Sequence, residues 1–380
     1  MQAQTSHRQT SSVVPYVIAG FGVILMVLLL LSFMADSQTS PTSQVAGANS
    51  ERVAYLQFGL TADTLWLADP TAPANRDELL TIPHAAEYGI LPSLSPDGER
   101  FAYTALPEGM SSPGPDSPAR LWLASLDDAE APLLLAEDVD LLVPPLWTPD
   151  GESVVYRRSE AGAHTLATGQ ITGGEERIVA YADTEALFPV GFLGSGATLL
   201  IVALSEDGGS HLSRVSMTSG VMTEIATLSP GLTRDWSLSP DGTRLAYIEI
   251  AFADAVVASR ALVLDLGSGA NVPMTPAGEV AFGPVWSDAG QLAIGTFAPA
   301  TLEASLLLID GESRSRLAGQ ATGFDVPLTY SPTTDAYLVS AFENDSITAP
   351  GRSTLTLVGG DGKRTTIAEG EVTLVGWTHP

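Results

Sequence analysis

Leu94-Ser-Pro-Asp-Gly-Glu-Arg-Phe-Ala-Tyr103 decides the fold, because the phrase returns as Trp147-Thr-Pro-Asp-Gly-Glu-Ser-Val-Val-Tyr156 and as Leu238-Ser-Pro-Asp-Gly-Thr-Arg-Leu-Ala-Tyr247. Proline presets φ and glycine accepts a positive φ, so Pro-Asp-Gly is a tight turn between two short apolar runs. Degenerate copies are Phe192-Leu-Gly-Ser-Gly196, Trp286-Ser-Asp-Ala-Gly290 and Tyr330-Ser-Pro-Thr-Thr334. With a last marker at Trp377, the first residues of the copies are separated by 53, 45, 46, 48, 44 and 47 positions. A period near 47 is too long for leucine-rich or ankyrin repeats and fits one four-stranded propeller blade.

Each period supplies the remaining strands. A third follows the phrase, as in Leu121-Trp-Leu-Ala-Ser-Leu126, Arg260–Leu266, Ala304–Asp310 and Thr354–Val358, and a fourth is brief, as in Pro132–Leu135 or Glu224–Ala226. Short runs bounded by Gly, Pro, Asp and Ser read as strands. The chain enters the repeats at Arg52-Val-Ala-Tyr55, which matches a second strand, and ends on a first strand without a blade, Val372-Thr-Leu-Val-Gly-Trp377. The expectation is an all-β, seven-bladed β-propeller of four-stranded blades over residues 51–380, closed by insertion of the C-terminal strand into the N-terminal blade.

The phrase resembles the TolB-like propeller repeat, a WD40-like arrangement also found in the propeller of the prolyl oligopeptidase family. The resemblance covers about residues 52–377 and implies fold far more than activity. TolB is a soluble periplasmic protein with an α/β domain before its propeller, and the oligopeptidases carry a hydrolase domain; the sequence shows neither.

Composition narrows the function. Hydrophobic residues at 45% and charged residues at 16% are too apolar for a disordered chain. With no cysteine there are no disulfides, thiolate metal sites or thiol nucleophiles. Seventeen basic against 44 acidic residues give a net charge of −27, which excludes a nucleic-acid partner held through its phosphates.

The first fifty residues give an address. Val13–Ala35 is 23 residues without a charge, about 34 Å as a helix, which spans a hydrocarbon core of about 30 Å. A cleaved signal peptide fits less well, since its apolar run is shorter and a small-x-small site follows closely, whereas Phe33 occupies the −3 position before Ala35. His7 and Arg8 precede the span and no Lys or Arg follows it before Arg52. The expected organisation is a cytoplasmic tail over 1–12, a transmembrane signal-anchor helix over 13–35, a Ser/Thr-rich linker over 36–50 and an extracytoplasmic (periplasmic) propeller. The protein would then sit in the inner or plasma membrane.

No reactive constellation stands out. A Gly-x-Ser-x-Gly elbow, a P-loop and a Gly-x-Gly-x-x-Gly turn are absent, and His7, His84, His164, His211 and His379 show no metal spacing. Ser205–Ser210 reads as a hairpin turn, and Asp97, Asp150 and Asp241 as turn residues bonding their own backbone. Neither catalytic residues nor a metal or cofactor is expected, so the chain reads as not an enzyme.

One constellation remains. Seven residues before a marker stand Glu87, Asp140, Glu185 and Glu279, with Asp235, Asp325 and Glu371 at shorter offsets. In propellers of this kind that position faces one end of the central channel. A carboxylate rim there would focus a negative potential on a basic peptide, a polyamine or a divalent ion; the alternative is an ordinary solvated rim. The leading expectation is therefore a membrane-anchored, non-enzymatic interaction or scaffold module for protein partners, cationic ones included. The alternatives are an accessory single-pass subunit of a membrane complex, and a channel-mouth ligand-binding protein or a hydrolase or lyase.

Overall fold

The computed structural model describes residues 51–378, apart from 111, 113–117, 127–130, 161–162, 184, 254–255, 321 and 348. The described residues form β-strands and turns, and no helix among them is long and apolar enough to cross a membrane. The span over 13–35, with the tail and linker around it, lies outside the described residues.

The strands form five four-stranded sheets and one eight-stranded sheet, all with antiparallel neighbours in chain order. The eight-stranded sheet is two groups of four, Leu91–Val139 and Leu146–Ala182, joined through a single pair, Val139 opposite Arg158. The first strands of successive groups are Leu91–Leu94, Leu146–Trp147, Ala186–Leu193, Thr233–Leu238, Val280–Trp286, Phe324–Ser331 and Val372–Thr378. Each lies against the next in that order, and Val372–Thr378 lies against Leu91–Leu94. The last of them pairs antiparallel with Arg52–Gln57, Arg52 opposite Thr378 and Gln57 opposite Val372, so one sheet holds both ends of the described chain.

The repeated phrase builds a single local structure. In the Asp241 turn, Ser239 Oγ donates to Asp241 Oδ1 at 2.6 Å, and Asp241 Oδ1 accepts from Thr243 N at 3.1 Å. Arg244 N closes the turn on Ser239 Oγ at 2.9 Å. Thr148 and Asp150 repeat the arrangement at 2.6 Å, with Glu152 N on Asp150 at 3.0 Å. Gly98, Gly151 and Gly242 hold φ of 73°, 69° and 69°, where any Cβ would be strained. The Ser239 hydroxyl, then the Thr243 N–H, holds the Asp241 carboxyl down to about 2. The Thr148 hydroxyl and Glu152 N–H lower that of Asp150. At Asp97 burial is outweighed by the Ser95 hydroxyl, the Glu99 N–H and Arg100, so that its value also falls below the usual range.

The core is layered between sheets. Ala102, Leu121 and Leu123 meet Trp147, Val154 and Tyr156 of the following group, and Leu200, Val202 and Leu212 meet Leu245, Tyr247 and Leu262 of the next seam. Two of the marker tryptophans reach back across a seam: Trp147 Nε1 donates to Ser93 O at 2.8 Å and Trp286 Nε1 to Ser237 O at 3.0 Å, each on the preceding first strand. The arginine of the preceding turn lies over the same indole, Arg100 at 6.0 Å from the Trp147 ring centre and Arg244 at 4.5 Å from that of Trp286.

Removing Val372–Pro380 takes a whole strand from the sheet that holds Arg52–Gln57 and leaves an unpaired edge. Thermal unfolding by circular dichroism, with size-exclusion chromatography, should show loss of the cooperative transition and aggregation; an unchanged transition would refute the closure.

Candidate functional site

The first strands share a distortion. Register shifts fall between Pro189 and Gly191, Arg234 and Ser237, Phe282 and Val285, and Pro327 and Thr329, within the four residues before the marker in each case. Prolines at 189, 284 and 327 have no N–H to give the ladder, so bulges form there at little cost. Gly283, at φ 21°, permits close approach of the next sheet: a Cβ on it would stand 2.7 Å from Pro327 O.

Three consecutive bulges wall a cavity of about 530 Å³. Its lining runs from Arg234, Asp235 and Trp236 to Pro240 on one strand and turn, and includes Pro284, Val285, Pro327 and Leu328 on the next two. Arg234 and Asp235 form an ion pair beside it, with Asp235 at φ 53°. Trp236 is half-buried and donates from Nε1 to Thr233 Oγ1 at 2.9 Å. The cavity is thus of mixed polar and apolar lining, with the Trp236 and Trp286 indoles and one ion pair beside it, a surface suited to a flat group that carries some polarity.

None of the four predicted rim residues lines this cavity. All four precede a first strand in the chain, on or beside the segment that enters it. Glu87 is exposed at φ 71°, its N–H held by Leu60 O at 2.9 Å. Glu185 is half-buried immediately before Ala186–Leu193.

Asp140 and Glu279 are bound to arginines. Asp140 Oδ2 accepts from Arg157 Nε at 3.0 Å and Nη2 at 2.6 Å, and its Oδ1 accepts from Leu142 N at 2.8 Å. Glu279 takes both oxygens to Arg316 Nη2 at 2.9 Å, and Arg316 lies on an outermost strand, Ser313–Ala318. Of the acids at shorter offsets, Asp325 is buried and bidentate to Arg364 at 2.7 and 2.9 Å. Among the described residues, no group of three or more His, Cys, Asp or Glu is placed to hold a metal ion.

Arg157 joins the rim to the channel wall. It is 7% exposed, donates from Nη1 to Leu187 O at 3.3 Å and lies 4.6 Å from the centre of the Phe188 ring. Phe188 in turn meets Trp236 at 5.3 Å. The stack Asp140–Arg157–Phe188–Trp236 therefore crosses several strands and ends at the cavity. The sequence carried one sign of it: Arg157 follows Tyr156 where the other full copies have Thr104 and Ile248, an ionic residue in an apolar register.

No sequence-family model matches the chain, and no curated relative does. Solved structures do resemble it. TolB from Acinetobacter baumannii has a TM-score of 0.50 at 17% identity, covering 86% of this chain and 82% of that one. An oligogalacturonate lyase from Vibrio parahaemolyticus has a TM-score of 0.58 at 10% identity, over 85% and 87%. The β-propeller domain of the Trilobed protease from Pyrococcus furiosus has a TM-score of 0.52 at 14% identity, over 74% and 86%. The fold is a TolB-like β-propeller. Identities this low carry the fold alone, and the similar structures include TolB as well as a lyase and a protease domain.

Arg157→Met removes the cation from a mostly buried pair and leaves Asp140 with its Leu142 N–H bond. The variant should be about 2–3 kcal/mol less stable in urea unfolding, and adding Asp140→Asn should return part of that loss. Stability unchanged in the single variant would remove the pair from the framework of the rim.

Proposed function

We propose that this chain is a non-enzymatic docking module: a seven-bladed propeller, tethered to the membrane by the helix over 13–35, displayed outside the cytoplasm and bound by protein partners. The carrying observation is the position of the chain's entry. Arg52 stands opposite Thr378, and Glu51 accepts a 2.6 Å hydrogen bond from Ser331 Oγ beside a marker tyrosine. Residue 51 therefore emerges at the end of the sheets that carries the Pro-Asp-Gly turns. A tether there leaves the opposite end, with Glu87, Asp140, Glu185 and Glu279, facing away from the membrane.

That end suits a cationic partner. Glu87 and Glu185 have no ion-pair partner among the described residues, and a chain of net charge −27 sets a negative background behind them. Charges gathered around one axis add, whereas a lone surface carboxylate is screened within about 8–10 Å at physiological salt. Steered association of this kind is fast and weakens with salt. The likeness to TolB, a fold used for protein interaction, supports a protein partner in general terms. A second reading, a ligand held inside the channel, is favoured by the cavity at Trp236.

Two experiments test the proposal. Cross-linking of the native chain in membranes, followed by identification of the captured proteins, should recover a partner with a basic surface. Replacing Glu87, Asp140, Glu185 and Glu279 together by their amides should weaken that association and flatten its salt dependence. Retention of both would reduce the rim to solvated surface and leave the channel reading. For the anchor, protease added to spheroplasts should digest the propeller of a chain that keeps its N-terminus. A mature chain beginning near Asp36 or Asn49 would overturn the tether.

A further inference from the structure

His84 is a buried imidazole, 1% exposed, and both of its nitrogens face acceptors. Nε2 lies 3.0 Å from Asp63 Oδ1 and Nδ1 lies 2.8 Å from the carbonyl oxygen of Ala85. Neither a carbonyl nor a carboxylate oxygen can donate, so satisfying both contacts requires a proton on each nitrogen, which is the imidazolium ion. Asp63, 3% exposed, also accepts from Gly59 N at 3.2 Å through Oδ1 and from Ile90 N at 3.0 Å through Oδ2. The Phe58 ring stacks on the imidazole at 5.8 Å.

Three segments meet at this pair. One is the hairpin between Arg52–Gln57 and Ala62–Ala68, a second is the start of the latter strand, and the third is the crossover over residues 84–90 that leads into Leu91–Leu94. His84 N donates to Thr61 O and Glu87 N to Leu60 O, so crossover and hairpin are also joined through their backbones. The crossover is the covalent link from the sheet that pairs the two chain ends to the group beginning at Leu91.

We propose that protonated His84 is a latch on this joint, holding the crossover and its rim residue Glu87 in place and releasing them when the proton leaves. Neutral imidazole has one N–H, so one of the two acceptors loses its donor inside a site closed to water. The elements packed around the ring bring it one charge, that of Asp63. The hairpin presents Phe58 and the Gly59 N–H, and the crossover presents the Ala85 carbonyl and Ile90 N–H. Beyond Ala85 lie Leu106, Ala119 and Leu141. The other titratable residues of these segments are Glu87 and Tyr88 on the crossover and Glu371, whose backbone carbonyl accepts from Phe58 N at 2.9 Å.

Burial opposes the charge on His84, but the Asp63 hydrogen bond, the Ala85 carbonyl and the carboxylate's charge outweigh it, and the ring titrates above its ordinary 6.5. A raised value fixes the sign: the latch is fully closed below 6.5 and opens as pH rises through the higher folded value. The inference stands apart from the docking role of the rim, since it needs no partner.

The test uses the full chain with 13C,15N-labelled histidine. The five imidazole signals are titrated by NMR, and His84→Gln assigns the one of interest. His84 should titrate above the ordinary value. Hydrogen exchange by mass spectrometry, corrected for the intrinsic pH dependence, should show protection over 58–61 and 84–90 falling about tenfold or more across that titration. In Asp63→Asn the His84 value should drop to or below the ordinary one. A His84 that titrates at or below 6.5 in the unmodified chain, or segments whose protection does not change with its titration, would overturn the latch, and neither result bears on partner binding at the rim.

Discussion

Pairing of Val372–Thr378 with Arg52–Gln57 is the constraint on which the rest of the molecule depends. Every seam in the core lies between two consecutive sheets, so each sheet needs a neighbour on both faces to bury its apolar residues. An open series would leave the outer faces of its first and last sheets wet, together with a free strand edge. Bringing together segments more than 300 positions apart costs loop-closure entropy, but that cost grows only as the logarithm of the separation. The return is a buried face on each side: Val53 and Tyr55 pack with Leu338 and Leu355 of the preceding sheet, while Ala54 and Leu56 pack with Phe101 and Tyr103 of the following one. The alternation of strand residues is what lets one strand serve both seams.

The repeat was legible because its parts are local. A Pro-Asp-Gly turn announces itself within a few residues, and the strand after it is a short apolar run, so fold class, repeat length and the pairing of the last strand with Arg52–Gln57 could all be read from spacing. The self-bonding of Asp97, Asp150 and Asp241 was legible for the same reason. The pairings of arginines with the acidic residues were not, although Arg157 stands out within its copy of the repeat. Arg157, Arg316 and Arg364 lie 17, 37 and 39 positions from Asp140, Glu279 and Asp325, distances set by how far a sheet extends between one crossover and its later strands. Such partners carry no period. His84 and Asp63, 21 positions apart, were equally silent, because a buried pair leaves no mark on composition or alternation.

The bulged first strands show how one distortion serves packing and access together. A regular ladder would keep each first strand straight down the channel wall. Placing proline at 189, 284 and 327 removes a donor where the ladder shifts, and Gly283 lets the neighbouring backbone come near. The result is a wall whose side chains are re-aimed, Trp236 and Leu328 among them, with room left between them. The bulged strands thus differ from the crossovers that precede them: the crossovers carry acids, and the strands carry prolines, indoles and the cavity.

That difference bears on what the net charge of −27 does. Few cations are available, and several stand at seams: Arg157 beneath Asp140, Arg364 against buried Asp325, Arg100 and Arg244 over the marker tryptophans. At Asp140 and Asp325 a carboxylate would otherwise be left without a cation in a low-dielectric layer, where the cost of an unpaired charge is greatest. Carboxylates at exposed crossovers and loops, Glu87 among them, remain in water, where a missing cation costs little. With 17 basic against 44 acidic residues, most carboxylates can have no cation as partner, and exposure to water keeps the cost of that low. Pairing at the seams and solvation outside are two answers to one cost, that of holding an uncompensated charge away from water.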